Sequence, residues 1–536
     1  MKVNWKEKKA EWIFGGFLFL AAVILFLAVG SREPVLFDDS RVYLRAERNE
    51  GVMPLYPLFV LLNQYLFGDA VYLRAVVVEQ VLLAALCLVF LVETVKREFA
   101  LRAWESLVIF CFLLYPYTIE MPAAMMPQAI LSEGVSYSLF YLFVAFLMRA
   151  VWRKSYGQLA VASGMVLVLA LTRSQMQILF GVCGIIFWYL VCMGVGQEKK
   201  KRLPVRLAAG LAGCLVVSLA GVGLVLQISG VYQRIVMQDS WLYRFALHVQ
   251  EIETEAENLE QQELPVEQEG ADGMQDSVQA PTGEIPLVDK DFSPSQFVSL
   301  VFSRGMYEAD PEDAALFEDE VVRGLFYKLY ETADAEGQLH SYEEKGLWMW
   351  KDIVDGIGMV GKTCLGTPSE YYVAEHPEII QSDEFSDIRN RHLQTIGLTL
   401  LKAHFGRFLY HSLILLPQAF ISTVFFQWAP LYLLCHLVTL FLYLSALGMM
   451  IWAYADRKAD SRYAELMAFV LGTNVVLVVV ISLIFYGQQR YLVYNFGIFY
   501  AAYCLLLQQL WRCRIRELIS GRTNRRRKRQ DAVTET

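Results

Sequence analysis

The chain has 536 residues, 56% hydrophobic, 13% aromatic and 19% charged, which is too apolar for an ordinary soluble domain of this size. Its net charge of −8 hides a segregation of sign: acidic residues crowd the middle of the chain and basic ones its ends. The basic run 525–529 directly follows an apolar segment, so it reads as a topology signal and an anchor to anionic lipid, and nucleic acid is not expected as a partner.

Taken in order, the apolar runs approach the roughly 20 residues a helix needs to cross a bilayer. The first, 12–30, carries no charge and follows Lys2, Lys6, Lys8 and Lys9. It ends in small residues as a cleavable signal does, but it exceeds the usual apolar length of such signals and is read as an uncleaved anchor. Further spans are expected at 74–95, 103–117, 131–149, 157–172, 176–193 and 206–228, and then at 431–454, 465–486 and 491–511. The predicted fold class is therefore an all-α polytopic membrane protein of about ten transmembrane helices.

Short cytoplasmic loops are enriched in Lys and Arg. The N-terminal lysines, Lys96/Arg97/Arg102, Arg149/Arg153/Lys154, residues 199–202, Arg457/Lys458/Arg462 and the tail all fall on one side if both termini are cytoplasmic in a plasma membrane. Parity then forbids a crossing at 408–426, which contains His411 and Pro417; this stretch and 54–67 are read as helices at the outer interface.

Four regions follow from this scheme: an N-terminal membrane module at 1–228, a long extracytoplasmic loop domain at 229–397, a C-terminal interfacial and membrane module at 398–512 and a basic tail at 513–536. Within the loop, 251–291 is rich in Glu, Asp and Gln and reads as a disordered insert. Residues 293–346 and 348–394 recover aromatics at helical spacing and predict a small helical cap. Eight of the nine cysteines lie in or beside apolar runs; only Cys364 lies in the loop, so no disulfide framework is expected there.

The residues most suited to chemistry punctuate these apolar runs. Asp38 and Asp39 follow the first span in Phe37-Asp38-Asp39-Ser40-Arg41-Val42-Tyr43, and Pro54 and Pro57 return the chain to the membrane. A carboxylate there can act as a general base toward an acceptor hydroxyl or position a divalent cation, although a solvated turn or helix cap is the ordinary explanation. Glu133, in Leu131-Ser132-Glu133-Gly134, opens the fourth span, with Glu120 as its competitor for a second acidic role. Arg173 and Arg490 each sit between two apolar helices, where the planar guanidinium suits phosphate, or where it simply snorkels. His404 and His411 are seven residues apart, on one face if their helix is continuous; they are candidates for phosphate or metal contact, but no carboxylate or Cys accompanies them at ligand spacing.

The acidic first loop, with Asp38, Asp39, Tyr43, Ala46, Pro54 and Pro57, resembles the GT-C superfamily of membrane glycosyltransferases, which includes protein mannosyltransferases and lipid A aminoarabinose transferases. Arg490-Tyr491 resembles the Arg-Tyr turn before the final helix of many members, without their proline-bearing continuation. The sequence-specific part of the resemblance is confined to the N-terminal third and a short piece near the end. It implies a GT-C-like core and a polyprenyl-phosphate sugar donor, with a glycan, lipid or protein acceptor of the cell envelope. It further implies Asp38, Asp39 and Glu133 as catalytic residues and Tyr43, Arg173, Arg490 and Tyr491 as substrate or phosphate contacts, with His404 as a further candidate. A flippase for lipid-linked saccharides would instead need polar groups inside the spans, where Glu79, Glu93 and Asn474 are the few exceptions. A membrane scaffold would require its acidic insert.

Overall fold

A computed structural model describes residues 5–29, 33–37, 40, 43–44, 52–118, 127–193, 203–237, 296–343, 345–346, 348–364, 366–380, 382, 384–424, 431–456, 459–484 and 491–513. The protein is helical throughout this range, and its sole β-feature among the described residues is a parallel bridge between Val35 and Ala129. In chain order the main helices are α1 (Trp5–Val29), α2 (Leu55–Phe67), α3 (Tyr72–Glu98), α4 (Ala103–Leu114), α5 (Ser132–Trp152), α6 (Tyr156–Thr172), α7 (Ile178–Met193) and α8 (Leu203–Met237). Then come α9 (Gln296–Tyr307), α10 (Glu320–Ala335), α11 (Met349–Thr363), α12 (Thr367–Glu375), α13 (Phe385–Ala403), α14 (Phe405–Ser422), α15 (Tyr432–Ala455), α16 (Ser461–Ile484) and α17 (496–513).

Among the described residues, seven helical segments are long and apolar enough to cross a membrane: Lys9–Ala28, Tyr72–Glu98, Ser132–Trp152, Ser174–Cys192, Leu207–Tyr232, Leu433–Ala455 and Ser461–Leu483. The chain is thus an all-α, multi-pass membrane protein. The expected spans at 103–117 and 157–172 form shorter apolar helices, Ala103–Thr118 and Tyr156–Thr172. The 54–67 segment is helical as α2, and α14 is not one of the seven and holds Pro417 inside it. The acidic insert at 251–291 lies outside the described residues.

The chain divides into two compact units. The first comprises Met1–Ser40, Met53–Ser229 and Tyr410–Thr536; the second comprises Arg41–Val52 and Gly230–Leu409.

In the first unit α5 is the central post, packed against α3 and α6, with Tyr137, Phe140, Tyr141 and Phe143 fully buried. A helix apolar on every face must be covered by protein or lipid, and the helices divide between these two solutions. The span within α5 is 83% buried, whereas Leu207–Tyr232 is 11% buried and presents Leu211, Leu215, Val216 and Leu219 outward. Where α8 does meet α7, Phe187 and Phe180 sit directly over Gly213 and Gly221, the close approach that small residues allow between membrane helices.

Basic residues gather at one end of this unit. Arg153 pairs with Glu98 and Arg97 with Glu11, while Arg512 pairs with Glu105. Arg462 binds Asp460 and donates to the Glu98 carbonyl at 2.7 Å. These contacts bring the start of α1, the ends of α3 and α5 and the start of α16 to the same level.

The second unit has its own core. Phe302 and Met306 of α9, Leu325, Phe326 and Leu329 of α10, Val360 of α11, Tyr372 of α12 and Ile396 and Leu400 of α13 bury together. The α9 and α13 backbones touch, because a Cβ on Gly397 would lie 2.7 Å from the Val301 carbonyl oxygen and 2.8 Å from Phe302 Cα. Glycine at both Gly305 and Gly397 makes that approach sterically allowed.

Candidate functional site

The entrance to α5 is built from separate stretches of the first unit. Leu131 is extended and α5 begins at Ser132, so Glu133 falls in the first turn, where the helix dipole favours a carboxylate. The preceding segment is pinned from two directions. The Val35 amide donates to the Gln128 carbonyl and the Ile130 amide to the Val35 carbonyl, each at 3.0 Å. From α3 the buried Gln80 amide donates to the carbonyls of Pro127 and Ala129 at 2.9 and 3.1 Å and accepts from the Tyr56 hydroxyl.

Arg173 arrives from the end of α6. Its backbone turns extended, ending the helix, and a short 3-10 turn at Ser174–Gln177 restarts the chain toward α7. The Arg173 guanidinium forms an ion pair with Glu133 and lies 5.1 Å from the centre of the Tyr491 ring. Both charged side chains are almost wholly buried, at 10% and 3% exposure. A pair so withdrawn from water is held in a low dielectric, and neither partner can lose the other cheaply. Beneath it the Tyr494 hydroxyl meets Ser136 Oγ at 3.0 Å, the hydroxyls of Tyr137 and Tyr141 are 3.0 Å apart, and Tyr141 donates to the Leu113 carbonyl. The site is therefore a buried guanidinium and carboxylate on an aromatic floor.

Three predicted site residues, Glu133, Arg173 and Tyr491, thus converge from three chain segments. Asp38, Asp39, Arg490 and the competing Glu120 lie outside the described residues. Their neighbours Phe37 and Ser40 exchange hydrogen bonds, the Phe37 amide to Ser40 Oγ and the Ser40 amide to the Phe37 carbonyl, both 2.8 Å. Tyr43 is helical, half-buried and part of the second unit. Gln80 is a candidate functional residue that the sequence reading missed; its only signal is an amide beside Glu79 inside a largely apolar run.

His404 belongs to a different cluster, within the second unit. The helix expected through His404 and His411 is interrupted: His404 is the joint between α13 and α14, its amide closing on the Leu400 carbonyl at 2.9 Å, so the face argument does not hold. His404 also has the carboxylate neighbours that local spacing did not reveal. Its Nε2 is 2.7 Å from Asp313 Oδ2 and its Nδ1 3.9 Å from Asp310 Oδ2. Arg407 grips Asp310 through both nitrogens, at 2.9 and 3.3 Å, and this contact holds the Asp310 carboxyl below its usual range. His340 lies 3.5 Å from Asp310, and burial, reinforced by the Arg407 charge, lowers its pKa.

No family model, curated protein or solved structure matches the chain. Any reading of the site therefore rests on these residues and their chemistry. The polar groups inside the spans bear on it: Glu79 accepts from Asn63 at 3.0 Å, Glu93 pairs with Lys96 at 3.3 Å, and Asn474 joins Asn495 and Tyr443 at 2.9 Å each. Each is engaged with a neighbour, as structural polar groups in a membrane are.

Proposed function

We propose that the protein is a GT-C-like membrane glycosyltransferase of about ten passes in the plasma membrane, with both termini cytoplasmic. It transfers a sugar from a polyprenyl-phosphate donor to an envelope acceptor at the outer face. The observation that carries this reading is the buried Arg173–Glu133 pair under Tyr491, at the end of the first unit away from the basic cluster. In the reaction, Asp38 or Asp39 takes the proton of the acceptor hydroxyl as its oxygen attacks the anomeric carbon, and the bond from that carbon to the phosphate oxygen breaks. Charge then grows on the departing lipid phosphate. A planar guanidinium fixed in a low dielectric stabilises that charge, with Arg173 and Arg490 in this role and Glu133 holding Arg173 in position.

The local pairing of Glu79, Glu93 and Asn474 favours this reading over a transport path, which needs polar groups left to its cargo. The test is transfer by purified protein in liposomes supplied with radiolabelled polyprenyl-phosphate sugars and crude membrane acceptor. Wild type moves label to acceptor; Arg173→Ala lowers the rate about 100-fold or more, as loss of a charge-stabilising group does, and the double variant Asp38→Asn/Asp39→Asn lowers it about 100-fold or more, as loss of a general base does. Label that binds and never transfers would assign the protein to transport or scaffolding.

A further inference from the structure

We propose that the second unit is a metalloprotein module that holds one divalent first-row transition ion, zinc foremost, between Asp310, Asp313 and His404. The inference is independent of glycosyl transfer. One ligand atom from each of the three side chains lies within 4.8 Å of the other two. Two ligands at about 2.0–2.1 Å on a tetrahedral ion stand ~3.3 Å apart, so the three donors need only small side-chain rotations to close on a common centre.

The donors are presented by helical junctions, which restricts their freedom before any ion arrives. Asp310 caps the short 3-10 helix Pro311–Leu316 and Asp313 lies in its first turn, where the Asp310 amide donates to Asp313 Oδ2 at 2.8 Å. His404 is fixed as the joint between two helices. Behind Asp310, Arg407 fills the role that outer-shell partners play at metal sites: it orients the carboxylate. Its own further contacts are the Glu308 carbonyl at 3.0 Å and His340, so its charge is spread over several partners.

The donor set decides the class of ion. Two carboxylates and an imidazole suit zinc or manganese, whereas calcium and magnesium prefer oxygen alone. Three protein ligands leave a fourth position for water or an anionic oxygen. The alternative is that the three side chains form an ion-pair staple and nothing more.

The experiment uses full-length protein in detergent, stripped with a chelator and titrated calorimetrically with zinc, manganese, magnesium and calcium salts. One zinc per chain binds, manganese binds more weakly, and magnesium and calcium fail at the same concentrations. Zinc raises the thermal midpoint, because an ion that binds only the folded state stabilises it. Asp313→Asn and His404→Gln each weaken zinc by more than the about 10- to 100-fold that loss of an outer-shell partner costs, and His376→Ala leaves it unchanged. Should the ligand variants fold poorly, the cobalt-substituted wild type decides: a tetrahedral nitrogen and oxygen spectrum supports the site, and a sulfur charge-transfer band overturns it. Absence of stoichiometric zinc, or full retention of zinc by both ligand variants, reduces the cluster to a staple.

Discussion

Cys364 and His392 show what burial does to single side chains of the second unit. Cys364 is fully buried with its thiol facing the Leu329 carbonyl at 3.7 Å, and desolvation pushes its pKa up to about 12. A thiol so protonated is a poor nucleophile. It is therefore expected to stay unmodified by maleimide in folded protein and to label on denaturation, as peptide mass spectrometry would read. His392 Nδ1 lies 2.8 Å from the buried Tyr372 hydroxyl, and burial lowers its pKa below the ordinary 6.5. The unfolded chain then takes up a proton first as pH falls below 6.5, so stability held above that pH is lost on acidification. The thermal midpoint should drop between pH 7.5 and 5.5, and His392→Gln should drop less over the same interval. A slope equal to wild type would remove His392 as a cause. At this scale Arg173 was legible because a charge between two apolar helices is informative, Glu133 because it opens an apolar span, and Tyr491 only through the resemblance of Arg490-Tyr491 to the Arg-Tyr turn. Asp310 and Asp313 were not, since in a polar loop a carboxylate carries no such signal and its partner lies 91 residues farther along.

Helix packing in the second unit turns on the contact between α9 and α13. A methyl group on Gly397 has no room beside Val301 and Phe302, and one on Gly305 meets the Gly397 carbonyl. Gly397→Ala should force the two helices apart and cost about 1–3 kcal/mol, the usual range for overpacking. Chemical denaturation of the purified protein would measure it; a variant as stable as wild type would show that the interface yields freely. The existence and rough limits of most membrane helices were readable from apolar runs, whereas in the loop only helical spacing over 293–346 and 348–394 was readable, without the limits of α10 and α11. Which faces meet was not, because two isolated glycines 92 residues apart give no sign of touching. The break at His404 was also hidden, as Gly406 is the one breaker beside it and a single glycine inside a helical pattern is tolerated.

For the whole molecule, the proposed orientation makes a sharp statement about the insert at 251–291. A reporter enzyme active only outside the cytoplasm should be active when placed in that insert and inactive when fused to the C-terminus. The reverse result would invert the protein and take the proposed site to the cytoplasmic face. Deleting the insert should leave transfer intact, whereas a scaffold would lose its function. The membrane class of the chain was legible from composition alone; its partition into two units was legible only where apolar runs gave way to the long loop.

One property of the first unit reaches into the surrounding lipid. Helix α6 has 17 residues and rises about 25 Å, against ~30 Å for a typical hydrocarbon core. Tyr156 and Val161 on it face outward, and Arg153, Lys154 and Arg173 flank its two ends. Such a helix thins the bilayer beside it or draws flanking side chains toward the headgroups. On the proposed ten-pass reading, a bilayer thinned at α6 would bring headgroup phosphates closer to the helix end that carries Arg173. On that reading, transfer should be faster in short-chain than in long-chain, sterol-rich liposomes, and a rate independent of chain length would remove the mismatch as a control.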